Sequence, residues 1–183
     1  METNMRKLFL EEVRKTLMSV KGEELDQLVD AVLAARKIMV VGKGRVGIAM
    51  RTFATRLSHM GLDVSCLQDV TSPHLGPGDL VLIGNTNGCS PLMNVYLEQA
   101  HGAGAKVYYI VVVDGTVSCK AEYVLHIRAR LMGKQYIDIP SVQPMCSTFE
   151  QVLMLSLDTV CKMVQMRLGQ SEEEMRSRSI NII

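Results

Sequence analysis

The chain reads as an α/β protein with a parallel sheet and helices on both of its faces, and three observations predict this. From residue 38 onward, short apolar runs alternate with segments of helical periodicity. Gly61, the Gly76-Pro77-Gly78 trio and Gly102 to Gly104 fall between these segments, where turns are needed. Two of the apolar runs finish in a small-residue turn and then become helical: Ile38-Met39-Val40-Val41 into Gly42-Lys43-Gly44-Arg45-Val46-Gly47, and Leu80-Val81-Leu82-Ile83 into Gly84-Asn85-Thr86-Asn87-Gly88-Cys89-Ser90.

Two amphipathic helices open the chain. Met5, Leu8, Phe9, Val13 and Leu17 recur at helical spacing, and after Gly22 a second set follows at Leu25, Leu28, Val29, Val32 and Leu33. Strands are predicted near 38–41, 62–66, 80–83, 107–113 and 123–127, with helices near 48–60 and 90–101 between them. Residues 129–147 contain Pro140 and Pro144 and little periodicity. Phe149, Val152, Leu153, Leu157, Val160 and Val164 then define a long helix that ends before Gly169. A last short helix starts at Ser171, whose hydroxyl caps it while Glu174 bonds back; Ser147 and Glu150 offer the same box at the start of the long helix.

The 183 residues are read as a single domain, with 48% of them apolar and a substantial core therefore available. Lysine and arginine total 20 against 19 acids, and no basic run or aromatic-basic stripe marks a nucleic-acid partner. The five cysteines, Cys66, Cys89, Cys119, Cys146 and Cys161, are odd in number and lack any CxxC, so they read as reduced thiols rather than a disulfide framework or a zinc site. Met1 to Lys15 interleaves charges with its apolar residues, unlike an export signal, and no segment approaches the ~18 apolar residues of a membrane span. A cytoplasmic protein is expected. No histidine shares metal-ligand spacing with another histidine or a cysteine, so no metal is expected.

A turn that leads from a strand into a helix points backbone N–H groups at an anion, and the helix adds partial positive charge there, worth roughly 0.3–2 kcal/mol per charge. Two such turns suggest a phosphorylated small molecule. Gly42, Gly44 and Gly47 also satisfy GxGxxG, with Asp69 about 20 residues beyond. A dinucleotide-binding reading therefore stands beside the first, although the chain lacks the second domain that usually carries hydride chemistry. The glycines also permit close packing of strand on helix, whatever is bound.

The stretch Gly42-Lys-Gly-Arg-Val-Gly47, followed by Arg51-Thr-Phe-Ala-Thr-Arg-Leu-Ser-His59-Met-Gly61, resembles the first strand-helix unit of the sugar isomerase (SIS) domain family, most of all the 6-phospho-3-hexuloisomerases. The resemblance continues through Asp69-Val-Thr-Ser-Pro73, Gly78-Asp-Leu-Val-Leu-Ile83, Gln143-Pro-Met-Cys-Ser-Thr-Phe-Glu150 and the closing Ser171 to Asn181, in order along almost the whole chain. It implies a flavodoxin-like three-layer αβα sandwich with a five-stranded parallel sheet. It also implies conversion of 3-hexulose 6-phosphate to fructose 6-phosphate through a cis-enediolate, without metal or nucleotide cofactor. The assembly implied is a homotetramer, a dimer of dimers, with sites at subunit contacts. The opening helices, about 4–35, and the closing ones, about 148–178, would supply those contacts. Glu150 matches the carboxylate that resembles the catalytic base. Gly44, Arg45, Asn85, Thr86, Asn87, Gly88 and Ser90 are the substrate and phosphate candidates, with Arg51, His59, Thr71, Ser72, His74 and Ser179 as further site candidates.

Three places depart from the family pattern. Val46 stands where the first turn carries a serine, which removes a hydroxyl donor, and the serines of the second turn have become Asn85 and Asn87, whose amides still donate. Ser179 stands where the family has a histidine thought to act on a neighbouring subunit's sugar. General acid or base help is worth roughly 10²–10⁴-fold, so this last change bears on catalysis more than the turn changes bear on binding. A sugar-phosphate sensor that binds without turnover is therefore the rival reading.

Overall fold

The computed structural model describes residues 2–67, 69–86, 90–112, 120–131 and 139–182, apart from the side chains of Glu2, Thr3 and Cys146. In chain order the elements are α1 (Glu2–Met18), α2 (Gly22–Ala34), β1 (Ile38–Val41), α3 (Gly44–His59), β2 (Val64–Cys66), β3 (Leu80–Asn85), α4 (Pro91–Gly102), β4 (Lys106–Val112), β5 (Tyr123–Ile127), α5 (Ser147–Leu168) and α6 (Glu172–Ser177), with a 3-10 turn at Pro144–Cys146 leading into α5. The strands form one parallel sheet in the order β2-β1-β3-β4-β5.

Because helices cover both faces, the strands read as continuous apolar runs, yet each alternates its side chains between two cores. Ile38, Val40, Leu80, Leu82, Tyr108 and Ile110 face α2, α3 and α5; Met39, Val41, Val81, Ile83, Val107 and Tyr109 face α4. Burying side chains of this size is worth about 1.5–3 kcal/mol each, so the larger core dominates the stability. The two layers are unequal, since α5 packs on α1, α2 and α3 while α4 alone faces the second core among the described residues. At the sheet's edge the His126 N–H donates to Glu24 of α2 at 2.7 Å, so an open strand edge is capped by a carboxylate. Among the described residues, no helix is long and apolar enough to cross a membrane.

Three element boundaries differ from the sequence expectation. The helix expected near 48–60 starts four residues earlier, at Gly44, because its first turn includes Gly44 and Gly47, which carry no apolar signal. β2 is confined to Val64–Cys66, and β3 runs on to Asn85, which is thus a strand residue. The box at Ser171 and Glu174 is formed. The one expected at Ser147 is not: its hydroxyl donates to the Pro144 carbonyl, because the 3-10 turn feeds directly into α5 and leaves Glu150 for another partner. Of the strand expected near 107–113, residue 113 lies outside the described residues.

Candidate functional site

In this strand order the connection after β1 leaves in one direction and that after β3 in the other, which opens a crevice at the carboxyl edge between them. A cleft of about 130 Å³ lies there, lined among others by Gly42, Lys43, Gly44, Arg51, Cys66 and Tyr96. The glycines have distinct tasks. A Cβ on Gly47 would lie 2.7 Å from the Gly42 carbonyl oxygen, so this pair lets α3 sit against the end of β1. Gly44 instead has φ +54° and open space beside it, the conformation that turns the chain into α3. The first amides of α3 have no carbonyl one turn back to accept them, and the helix dipole adds to their attraction for an anion.

Arg45, the second residue of α3, extends across this edge to Glu150 in the first turn of α5, and the two form an ion pair through Arg45 Nε and Glu150 Oε2. The Glu150 side chain is 14% exposed and that of Arg45 65%, so the carboxylate is nearly buried while the guanidinium reaches it from solvent. Behind Glu150 the chain is pinned by α1. The buried Glu12 accepts the Val142 N–H and the Ser141 hydroxyl, both at 2.7 Å, and Ser141 Oγ also meets Thr148 Oγ1 at 2.9 Å. Gln143, between this anchor and α5, is 1% exposed, and neither its amide nitrogen nor its oxygen has a partner among the described residues. Met145 next turns the chain with φ 53°, a conformation costing about 1–3 kcal/mol for a residue with a side chain.

Arg51 donates to Asp69 at 2.8 Å across the turn after β2, and Cys66 lies beside them. Burial pushes the Cys66 thiol upward, Arg51 opposes and Asp69 adds to the rise, so this cysteine is no ready nucleophile. Ser72 spends its hydroxyl on the Cys66 and Asp69 carbonyls, and Thr71 is exposed on the same loop. From β3, Asn85 donates to the Tyr109 hydroxyl at 3.4 Å, Thr86 starts the following turn and Ser90 opens α4 ahead of Pro91. Asn87, Gly88 and Cys89 lie outside the described residues. Val46 is buried, and its Cγ1 would lie 3.1 Å from a Cβ on Gly84, so the side chain at the family's serine position packs into the core.

No protein-family model matches the chain. Among curated proteins, the 3-hexulose-6-phosphate isomerase of Mycobacterium gastri is 30% identical over 181 residues, covering 98% of this chain and 90% of the relative. The chain belongs to the 3-hexulose-6-phosphate isomerase family. The family member of Bacillus subtilis strain 168 is 28% identical over 174 residues, 94% of each chain. A hypothetical protein from Methanococcus jannaschii, whose crystal structure was described as inferring a 3-hexulose-6-phosphate isomerase function, aligns with a TM-score of 0.81 at 25% identity, over 98% of this chain and 99% of that one. The fold is thus the flavodoxin-like SIS sandwich.

Within this family member the remaining candidates stand at the other edge of the sheet. Arg45 and His59 are at opposite ends of α3, about 21 Å apart along its axis. The His59 carbonyl accepts from Arg178 at 3.2 Å, and Ser179 shares with His59 a surface groove of about 550 Å³. His74 lies beyond the loop that crosses from β2 back to the start of β3, where its carbonyl accepts from Lys37 at 3.5 Å. The chain therefore gathers Gly44, Arg45, Arg51, Asn85, Thr86, Ser90 and Glu150 at the carboxyl edge, and does not itself bring His59, His74 or Ser179 to them. No group of three His, Cys, Asp or Glu residues suited to a metal occurs among the described residues.

Proposed function

We propose that this family member isomerises 3-hexulose 6-phosphate to fructose 6-phosphate, with Glu150 as the proton-transfer base. The observation that carries the reading is the position of Glu150, a nearly buried carboxylate at the carboxyl edge beside the anion-attracting start of α3. The phosphate is held by the amides at Gly44 and Arg45, by the Arg45 side chain, and by the second turn with Asn85, Thr86, Asn87, Gly88 and Ser90. This fixes the sugar so that Glu150 takes the proton from C2. Electrons move into the C2–C3 bond and the C3 carbonyl oxygen takes the negative charge of the enediol(ate); that oxygen gains a proton as the C2 hydroxyl gives one up, and a proton returned to C3 leaves the carbonyl at C2. Each proton removed is replaced, so neither oxidant nor reductant is needed. Holding the reacting carbon against the base supplies much of the rate.

His59 and Ser179 enter such a site only from another subunit, which agrees with a homotetramer built as a dimer of dimers. Exposed Leu8, Leu10, Met154 and Leu155 on α1 and α5 offer apolar surface for contacts of that kind. A cytoplasmic setting accords with a metabolic isomerase. The test is turnover of 3-hexulose 6-phosphate, with thermal shift against a panel of sugar phosphates beside it, since a ligand stabilises by RT ln(1 + [L]/Kd). Turnover that Glu150→Gln abolishes supports the reading. Binding without turnover assigns a sensor, the role that serine in place of histidine at 179 favours. A shift with NAD or NADP alone overturns both.

A further inference from the structure

We propose that Arg45 is a phosphate-operated latch on Glu150, a positioning residue that keeps the carboxylate occupied until a phosphate arrives; this rests on the reading of the α3 turn as the phosphate site. Among the described residues, Arg45 and Glu150 are each other's only hydrogen-bonding partner. The bond engages Arg45 Nε and Glu150 Oε2, so it competes with both proposed tasks. The carboxylate oxygen that accepts from the guanidinium is not the one free to take a proton from carbon, and a guanidinium aimed at that carboxylate is not aimed at the amides of Gly44 and Arg45. The neighbouring Arg51 cannot substitute, because it is held by Asp69 at 2.8 Å. A phosphate dianion at the start of α3 competes for Arg45 with twice the charge of the carboxylate. It meets a guanidinium that, being mostly exposed, swings without disturbing the core. Arrival of the charged end of the substrate thus releases the base at its other end. A sugar lacking the phosphate leaves the base occupied, so the latch discriminates by chemistry as well as by affinity.

Linkage makes the idea measurable without turnover, since whatever weakens the internal pair must strengthen phosphate binding by the same factor. The experiment is calorimetric titration with inorganic phosphate of the wild type, Glu150→Gln, Arg45→Met and the double variant, each first confirmed folded by circular dichroism. Glu150→Gln should bind phosphate about three- to fivefold tighter, the range expected of a partly exposed charge pair. In the Arg45→Met background the same change should alter affinity less than about twofold. Equal tightening in both backgrounds would show only the removal of a nearby negative charge and would overturn the latch, as would no tightening at all. Either result leaves the phosphate turn standing, because wild-type protein would still bind phosphate saturably. Absence of saturable binding in every variant overturns the latch and the phosphate turn together, and absence of turnover with intact coupling overturns only the isomerase.

Discussion

The two edges of the sheet use the same kinds of side chain to different ends. At the amino edge, Asp79 is 1% exposed and folds its loop by accepting the Gly76 N–H at 2.8 Å and Arg36 at 3.0 Å. Arg178 there ties α6 to the His59 carbonyl, to Gln170 and to the Glu174 carbonyl. At the carboxyl edge the ion pair of Arg45 with Glu150 joins α3 to α5, and the Gln143 amide, like Asp79 Oδ1 at the amino edge, is buried without a partner among the described residues. Chain is held to chain at both edges, by Asp79 and Arg178 at one and by Arg51, Ser72 and Glu12 at the other, but the carboxyl edge adds a mostly exposed guanidinium beside the start of a helix. That asymmetry follows from topology, because in a parallel sheet the loops at the carboxyl ends lead into helix starts, where backbone donors are unspent.

Paired substitutions test the contrast most severely. Glu150→Gln should lower turnover by about 10²–10⁴-fold and leave the melting temperature nearly unchanged, since the amide fills the same space and the bond it alters ends on the exposed Arg45. Asp79→Ala should do the reverse. It strands the Gly76 N–H and removes the partner of the exposed Arg36, for a loss of about 1–3 kcal/mol in chemical denaturation, with turnover per folded molecule retained. An Asp79 variant that is stable but inactive would break the division between the edges.

A smaller effect sharpens the comparison within the carboxyl edge itself. Gly47→Ala places a Cβ against the Gly42 carbonyl, and prising α3 from β1 should cost about 1–3 kcal/mol and weaken phosphate binding as well. Gly44→Ala meets no neighbour, so its cost is the left-handed backbone alone, about 1 kcal/mol. Urea denaturation of the two variants should rank them in that order, and the reverse ranking would mean that the turn is held by backbone conformation rather than by contact.

Much of this architecture is written locally. Ile38–Val41 and Leu80–Ile83 are legible as strands because burial on both faces forbids polar interruption, and α5 is legible because its buried positions recur every three or four residues. The glycines of the first turn are visible too, yet they hide the true start of α3, since glycine carries no apolar signal. Glu150 stands out by its resemblance to a family carboxylate. Its partner does not, because Arg45 lies 105 residues away and an ion pair leaves no periodic trace. The same holds for Glu12, whose anchoring of Val142 spans 130 residues. The place of His74 is hidden for a related reason. It sits just after a short strand in sequence, but the loop carrying it crosses the whole sheet and delivers it to the amino edge.

Gln143 supplies the finest test of what the carboxyl edge is for. A buried amide with no partner among the described residues is a standing cost of about 1–3 kcal/mol, so if its role were only to fill space, Gln143→Met should be neutral or stabilising and kinetically silent. If the amide waits for a hydroxyl of the sugar, the same variant should gain up to about 1 kcal/mol in stability while KM for the sugar phosphate rises about tenfold and kcat changes less. Inorganic phosphate affinity, which involves no sugar hydroxyl, should then stay as in the wild type. Gain of stability together with loss of sugar affinity alone would place Gln143 among the groups that read the sugar, whereas a variant silent in both returns it to the core. Amino-edge residues provide the control: Arg178→Met should lower stability and leave the ratio of sugar-phosphate to phosphate affinity where it was, because its hydrogen bonds all end on the protein's own chain.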